Sequence, residues 1–184
     1  MADEDGGSRA ADSGSGEGLV GVRLARYTDA DLALTVELEG DLAVKAQLGG
    51  PIGRVEAEAI HRQRLDRMDH GDLFFTVVPD GSDRPVGIAG LFQTTWGDTV
   101  IREAGVMLLP DAQRSGLGLA ALQAIVERAR LDEAIAEVHG FTAVTNRAGN
   151  TICRRLGFRL LGECDLDYEG RAVRCNHWVF ELGG

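Results

Sequence analysis

Three strand-like runs in succession constrain the fold of this chain more than any other feature. Residues 72–79, 84–96 and 99–110 are rich in apolar and β-branched residues, and the short stretches 80–83 and 96–98 between them consist of turn-forming residues. Strands joined by turns this short pair antiparallel. We therefore predict an antiparallel meander in the middle of the chain.

Helix-like segments lie on both sides of the meander. Residues 54–68 predict an amphipathic helix with Val55, Leu65 and Met68 facing the core, and about 116–130 predicts a second helix. The other predicted elements are strands over 19–27, 137–145, 158–168 and 171–182, a helix that begins after Thr28 or Asp29, and a helix over 148–158. Strands and helices of this order predict an α+β domain over residues 19–184.

The composition narrows the class of protein. The formal net charge is −10, which argues against nucleic-acid binding, and no apolar run approaches the length of a membrane span. The first residues are acidic and lack the apolar stretch of a secretory signal. Residues 1–18 are acidic and rich in Gly and Ser, which predicts a disordered tail.

The three cysteines, Cys153, Cys164 and Cys175, indicate where the protein works. An odd number of cysteines without a secretory signal predicts reduced thiols in a cytoplasm. Their spacing does not match a zinc pattern, and the four histidines show no metal-like pairing. We therefore predict a cytoplasmic protein without a metal cofactor.

The sequence QRSGLGLA, residues 113–120, lies between the last strand of the meander and a helix. The first backbone N–H groups of a helix have no partner within it, and together with the helix dipole they bind phosphate. Glycine lets a ligand approach the backbone, and Arg114 can add a charged contact. The stretch lacks the Lys-Ser/Thr of a Walker loop, and a Rossmann turn would follow the first strand of a parallel sheet. A flexible connection and a phosphate cradle both remain open at this point.

Three blocks in order resemble the GNAT superfamily of N-acetyltransferases. Gln113, Gly116 and Gly118 match the superfamily's Q/R-x-x-G-x-G/A loop, and the stretch 146–158 matches its late motif, an Asn followed eleven residues later by Gly-Phe. The stretch EAGVMLLP, residues 103–110, is similar to the bacterial branch that acetylates ribosomal-protein N-termini. The resemblance implies a GNAT-like mixed, mostly antiparallel sheet of about six or seven strands flanked by helices.

The resemblance also implies where the cosubstrate acetyl-CoA binds. The backbone of the strand before the loop would pair with the pantetheine arm, the loop would hold the pyrophosphate, and the late Asn would touch the cofactor. The implied cofactor-binding residues are Val106, Met107, Leu108, Gln113, Arg114, Ser115, Gly116, Leu117, Gly118, Leu119 and Asn146, with Asn150 either a further contact or a helix cap.

The mechanism implied is direct attack of an amine on the thioester, for which the amine must first lose its proton. Glu103 stands where the resembling branch carries a Glu, so it is the candidate general base; the alternative is a carboxylate paired with an arginine. Many family members place a Tyr acid where this chain has Cys153, which is then either the proton donor or a core residue.

The sequence thus predicts an N-acetyltransferase whose acceptor is a primary amine, either a protein N-terminus or a small molecule. The alternative is a non-catalytic acyl-CoA-binding or sensing module on the same fold. We expect a bacterial protein that is a monomer or a homodimer.

Overall fold

The computed structural model describes residues 21–168 and 170–183, so the predicted tail over 1–18 lies outside the described residues. The strands are Val22–Arg26 (β1), Leu73–Pro79 (β2), Gly87–Trp96 (β3), Thr99–Leu108 (β4), Glu137–Ala143 (β5), Arg159–Tyr168 (β6) and Arg171–Glu181 (β7). The α-helices are Leu32–Gly40 (α1), Leu42–Lys45 (α2), Arg54–Met68 (α3), Leu117–Ala129 (α4) and Arg147–Arg155 (α5).

Within these residues, the seven strands form one sheet in the order β1-β2-β3-β4-β5-β7-β6. All neighbouring strands pair antiparallel except β4 and β5, which run parallel. The predicted meander is confirmed as β2-β3-β4, and the fold is the predicted α+β class with a mixed, mostly antiparallel sheet. The parallel pair lies in the middle of the sheet, between the meander and the C-terminal strands.

The helices cover the sheet on both faces because side chains alternate along each strand. Phe75, Ala89 and Leu108 point into a core that the apolar faces of α4 and α5 complete. Their chain neighbours Phe74 and Ile88 point the other way, into a second core with residues of α1, α2 and α3. We call these the α4 face and the α3 face of the sheet.

The burial of α3 agrees with the prediction at Leu65 and Met68, which pack against the core of the α3 face, and differs from it at the start of the helix. Val55, predicted to face the core, is 75% exposed, whereas Ala57 and His61 are buried. The Tyr27 hydroxyl hydrogen-bonds His61 Nδ1 at 2.6 Å. The helix can therefore bury this polar side chain, because its hydrogen bond is satisfied. Because His61 faces the core, the buried face of the helix excludes Val55.

Buried charges fix the geometry of the helical layer on the α3 face. Glu39 of α1 is fully buried and binds Lys45 Nζ at 2.7 Å and Arg64 Nη2 at 2.5 Å. Such a buried group is costly unless each charge has its partner, so it defines one arrangement of α1, α2 and α3. The segment between α2 and α3 runs from this layer to the β6–β7 side of the sheet.

A bulge in β6 decides which of its residues face the helical layer. The register with β7 shifts between Leu160 and Gly162, so that an extra residue is inserted. Beyond the bulge, Cys164 pairs with Cys175 and Tyr168 pairs with Arg171. Tyr168 therefore lies on the α3 face, together with the odd-numbered residues of β7.

Candidate active site

The turn between β4 and α4 carries most of the residues predicted to bind the cofactor. Arg114 and Gly116 have positive φ angles of 61° and 88°, and α4 begins directly after Gly116. Turns of this kind point successive N–H groups into one concavity, and the first N–H groups of the helix add to it. The residue before the helix, Gly116, has no side chain with which to cap α4, and the N–H group of Leu117 makes a long hydrogen bond to Ser115 Oγ at 3.5 Å. The turn therefore has the backbone geometry of a helix N-terminus, which suits an anion such as phosphate.

The polar side chains of this turn bind the protein itself. Gln113 Nε2 donates to the carbonyl of Leu108 at 3.0 Å, and Ser115 Oγ donates to the carbonyl of Ala112 at 2.6 Å. The Arg114 residue is exposed. The side chains of Gln113 and Ser115 thus brace the turn against the protein's own backbone, and the exposed Arg114 is a side chain that can extend to a ligand.

The two glycines of the turn are needed for different reasons. Gly116 has the left-handed backbone that glycine adopts without cost. Gly118 faces the interior, where a Cβ would lie 3.1 Å from Ile152 Cδ1 and 3.6 Å from Leu108 Cδ1. We expected glycine at 118 to clear the way for a ligand; instead it allows α4 to pack closely on α5 and β4.

The neighbouring residues of α4 offer the same kind of backbone contact. Leu117 is buried in the core of the α4 face and Leu119 is half-buried. Their N–H groups belong to the first turn of the helix, which has no intrahelical acceptor for them. Any contact that they make with a cofactor is therefore a backbone contact.

A seam runs between β4 and β5 beside this turn. The register of the two strands contains one pair, Glu103 with His139. Val106, Met107 and Leu108 pair with β3, and their side chains pack into the two cores. Past Glu103 the β5 side of β4 has no register partner among the described residues, so its backbone is available to an extended, amide-bearing ligand.

Glu103 lies on the α3 face at the last pair before the seam. Glu103 is half-buried, and desolvation of its carboxyl group raises its pKa to about 7, against the opposing effects of Thr94 and Arg67. A carboxylate with a pKa close to the working pH is suited to general base catalysis. Arg67 and Arg102 are engaged with Asp72, so neither forms an ion pair with Glu103 in the described structure.

Cys153 lies on the opposite side of the sheet from Glu103. It is 3% exposed in the core of the α4 face, and burial raises the pKa of its thiol to about 12. An ordinary thiol has a pKa of about 8.5. Cys153 is thus a much weaker acid than a free thiol would be, and its environment is that of a core residue.

The two asparagines of the late motif have different environments. Asn146 caps α5, where its side-chain oxygen accepts from the Gly149 N–H at 2.9 Å, and it is half-buried. Asn150 is buried, and its amide makes five hydrogen bonds, to Thr142, Ala143, Asn146, Asn176 and Trp178. A cofactor contact by the Asn150 side chain would displace one of these bonds.

The helical layer meets the β6–β7 hairpin on the α3 face. Arg171 Nη1 donates to the carbonyl of Gly49, and a Cβ on Gly49 would lie 3.2 Å from the Cβ of Tyr168. Thr145 Oγ1 donates to Gln47 Oε1 at 2.5 Å. These contacts join the α2–α3 connection to the hairpin on the face of the sheet that carries Glu103; we call the region between Gly49, Tyr168 and Glu103 the cleft.

Tyr168 belongs to this cleft together with Glu103. Burial raises the pKa of the Tyr168 hydroxyl above its usual range, and the charges of Glu103, Cys175 and Cys164 add to that increase. The sequence alone does not mark Tyr168, because this residue is 65 positions from Glu103 and belongs to no local motif. The bulge that turns it towards the cleft carries only Gly162 as a sequence signal.

Aromatic and imidazole rings form a cluster on the same face. The ring of His177 stacks on Phe141 with a centroid distance of 4.4 Å and meets Trp96 edge-on at 4.9 Å. His177 Nε2 lies 2.8 Å from Nδ1 of His139.

This chain belongs to the GNAT family of acetyltransferases. The family's model, described as the acetyltransferase (GNAT) domain, matches residues 22–159. The predicted family is thus confirmed by a match that contains the meander, the turn at 113–118 and the late motif. Among curated protein sequences, none is significantly similar to this chain.

Solved structures share the fold at low identity. An acetyltransferase of the GNAT family from Bacillus anthracis has a TM-score of 0.72 and 13% identity, covering 89% of this chain and 96% of its own. The ribosomal-protein alpha-N-acetyltransferase RimL, in a disulfide-linked complex with coenzyme A, has a TM-score of 0.71 and 17% identity over 87% and 93%. Spermidine N-acetyltransferase from Vibrio cholerae, in complex with CoA and spermine, has a TM-score of 0.71 and 14% identity over 88% and 95%.

None of the described helices is both long enough and apolar enough to cross a bilayer. Over 21–168 and 170–183, no three His, Cys, Asp or Glu residues are grouped so as to hold a metal ion.

Proposed function

We propose that this protein transfers an acetyl group from acetyl-CoA directly to a primary amine. The observation that carries the proposal is the convergence of three features around the end of β4: the N–H cradle at Arg114–Leu119, the open seam beside Val106–Leu108, and Glu103. The first two fit the pyrophosphate and the amide-bearing arm of CoA, and the third lies where the seam begins. The cytoplasmic location predicted from the sequence is part of this proposal.

Each part of the site has one task in this proposal. The N–H groups of residues 114–119 hold the pyrophosphate, and Arg114 adds a charge. The backbone of β4 pairs with the pantetheine arm and directs the thioester towards Glu103, where the seam begins. Asn146, at the start of α5, supports the cofactor from the far side of the seam.

Glu103 takes the proton that the amine must lose. An α-amino group has a pKa of about 8 and a lysine side chain of about 10.4, so both are mostly cationic at neutral pH. Glu103, ionised above about pH 7, accepts this proton, and the neutral nitrogen then attacks the thioester carbonyl. The C–S bond breaks, the nitrogen loses its second proton, and the thiolate of CoA takes up a proton as it leaves. Because the amine itself attacks the carbonyl, no covalent acyl-enzyme forms.

The acceptor belongs to the class of primary amines. Two of the solved structures named above are a ribosomal-protein alpha-N-acetyltransferase and a spermidine N-acetyltransferase, which supports a protein N-terminus or a small amine here. The cleft presents a carboxylate and the phenol of Tyr168, groups that can bind an ammonium ion. The cofactor half of the site serves both types of acceptor, so the residues of the cleft determine which amine is acetylated.

The proposal is tested by mixing the full-length protein with acetyl-CoA and a panel of amines and measuring free thiol. The panel contains peptides with free and blocked N-termini, spermidine and a lysine peptide. Thiol release that requires one class of free amine supports the proposal. Binding of CoA, measured by calorimetry, without release on any amine overturns it in favour of the acyl-CoA-sensing module.

Replacing Cys153 by alanine leaves turnover within about tenfold of the wild type. Its thiol, with a pKa of about 12, would give its proton uphill to a CoA thiolate whose conjugate acid has a pKa of about 8.5. The measurement is kcat for the best amine, with CoA affinity and thermal unfolding recorded on the same sample. A fall of more than about a hundredfold with both controls intact would restore Cys153 as the acid.

A further inference from the structure

Two charged side chains complete the edge of β3 at the point where β2 ends. The register of β2 with β3 begins at Leu73, which pairs with Leu91. Beyond this pair, the N–H group of Gln93 donates to Asp72 Oδ1 at 2.8 Å, and Arg67 Nη2 donates to the carbonyl of Gln93 at 2.6 Å. Asp72 and Arg67 thus satisfy backbone groups that a longer β2 would otherwise pair.

The carboxylate of Asp72 is shared between two arginines. Asp72 Oδ2 accepts from Arg67 Nε at 2.6 Å, and Asp72 Oδ1 accepts from Arg102 Nη1 at 3.3 Å. Asp72 is 5% exposed, and both arginines are half-buried. Removing one member of a buried ion pair leaves the charge of the other uncompensated. The Asp72 carboxylate therefore compensates two guanidinium groups that are themselves partly removed from water.

The turn between α3 and β2 holds Arg67 next to Asp72. The N–H groups of His70 and Asp72 both donate to the carbonyl of Arg67, at 3.0 and 3.1 Å. The guanidinium carbon of Arg67 also lies over two aromatic rings, 5.3 Å from the centroid of Phe92 and 5.9 Å from that of Phe74. Backbone, carboxylate and rings together give the Arg67 charge a defined position.

Phe92 brings this charge close to Glu103. Phe92 and Glu103 are register partners on β3 and β4, so their side chains lie next to each other on the α3 face. Desolvation raises the pKa of Glu103, and the charge of Arg67 acts in the opposite direction, together with Thr94. The basicity of Glu103 therefore depends on how far the charge of Arg67 is compensated.

Titratable groups on three other strands surround Glu103 as well. His139, its register partner on β5, is hydrogen-bonded through both ring nitrogens. Tyr168 of β6 and Cys175 of β7 interact with the charge of Glu103, but burial raises the pKa of Tyr168 above its usual range and that of Cys175 to about 11. These two groups are therefore neutral near pH 7, whereas Arg67 carries its charge at every pH of an enzyme assay.

Glu103 has to be basic enough to take a proton from an ammonium group, and an uncompensated cation nearby would make it less basic. We propose that Asp72 is a positioning residue for acetyl transfer, because its carboxylate holds Arg67 in place and offsets the charge that Arg67 exerts on Glu103. Asp72 acts on the reaction through Arg67. The inference rests on the proposed function, in which Glu103 is the general base.

A purely structural role for Asp72 makes a different prediction. If its carboxylate only ties the end of α3 to β3, its loss destabilises the protein and leaves the basicity of Glu103 unchanged. If it offsets Arg67, Asp72→Asn makes Glu103 less basic, whereas Arg67→Gln makes Glu103 more basic. A loss of stability common to both variants cannot produce shifts in opposite directions.

The experiment measures kcat for the preferred amine from about pH 5 to 9 at saturating acetyl-CoA. The acid limb, at about pH 7 in the wild type, should move down by about one pH unit in Asp72→Asn and up by about one in Arg67→Gln. The maximal kcat of Asp72→Asn should fall about threefold, since a weaker base takes the proton less readily. Limbs that stay in place, or that move in the same direction, overturn the inference.

Tyr27→Phe is the matched control for stability. The Tyr27 hydroxyl hydrogen-bonds His61 of α3, and burial raises the pKa of Tyr27, so the substitution weakens the packing of α3 without removing a charge. Thermal unfolding should occur at a lower temperature, with the acid limb at its wild-type position. If Tyr27→Phe moves the limb as Asp72→Asn does, loosening of α3 explains the shift and the inference is wrong.

Carbon NMR of the glutamate carboxyl groups measures the same property without turnover. The Glu103 signal, assigned by its loss in Glu103→Gln, should titrate at lower pH in Asp72→Asn and at higher pH in Arg67→Gln. If Asp72→Asn does not fold, the titration in Arg67→Gln decides alone. An unchanged titration overturns the inference whatever the enzyme does, whereas shifted titrations in a protein that acetylates no amine would reject the proposed function instead.

Discussion

Replacing Glu103 by glutamine lowers kcat for the preferred amine by about a hundredfold or more, while KM for acetyl-CoA stays unchanged. Glutamine preserves the size of the side chain but accepts no proton, and the cradle that binds the cofactor lies elsewhere. The wild-type rate should rise with pH through about 7, where Glu103 ionises, and this limb should disappear in the variant. Initial rates from about pH 5.5 to 9 under saturating acetyl-CoA measure both effects.

The same substitution should make the protein more stable at alkaline pH. The pKa of Glu103 is raised from 4.5 to about 7, so the folded state binds this proton more tightly than the unfolded state. That contribution is complete at low pH and is lost as pH rises from about 4.5 to about 7. Glutamine has no charge to bury, so Glu103→Gln should gain up to about 3 kcal/mol over the wild type at pH 8.

A matched control is Glu133→Gln, which changes an exposed carboxylate at the end of the sheet away from the cleft. It should alter neither kcat nor the dependence of the unfolding free energy on pH. A Glu103→Gln enzyme with wild-type kcat and an intact acid limb would show that another group accepts the proton.

Replacing Gly116 by alanine raises KM for acetyl-CoA by about tenfold or more, with a smaller effect on kcat. Gly116 has a φ angle of 88°, and a Cβ at such an angle costs about 1–2 kcal/mol. The chain relieves this cost by turning the peptide, which moves the N–H groups of the cradle away from the pyrophosphate. The effect is therefore expected on cofactor binding and is measured by varying acetyl-CoA at saturating amine.

Gly81→Ala is the control for backbone strain. Gly81 has a φ angle of 76°, and a Cβ there meets no described atom within 4 Å. Both variants should lose similar stability, but only Gly116→Ala should lose affinity for acetyl-CoA. If a folded Gly116→Ala protein binds acetyl-CoA as well as the Gly81→Ala protein does, the turn is a connection and not a cradle.

The fold follows from the sequence wherever apolar patterning and turns act over short distances. The meander and the helix over 54–68 agree with the structure because strand alternation and helix period are local signals. The prediction for α3 holds at Leu65 and Met68 but not at Val55, because His61 is buried and hydrogen-bonded to a hydroxyl group 34 residues away. The four-residue helix α2 was not predicted, because so short a helix is fixed by tertiary contacts such as the Lys45–Glu39 ion pair.

The two halves of the proposed site also differ in whether their residues are marked by local sequence signals or are joined only by the tertiary fold. The cofactor side is local: the cradle, β4 and Asn146 come from motifs with defined spacing, and their cofactor roles remain predictions. The acceptor side joins Gly49, Glu103 and Tyr168, which only the folded sheet brings together. The inward turn of Tyr168 depends on one extra residue in β6, and pattern analysis cannot locate such an insertion without the register.

Because of the seam between β4 and β5, we expect the abundance of folded protein to depend on the concentration of its acyl donor. One register pair joins the two parts of the sheet there, and under the proposed function the acyl donor fills the remaining gap. A ligand that binds the folded chain alone shifts the folding equilibrium by mass action. Because small changes in stability alter how much folded protein a cell retains, a shortage of the donor would lower the enzyme's abundance as well as its rate.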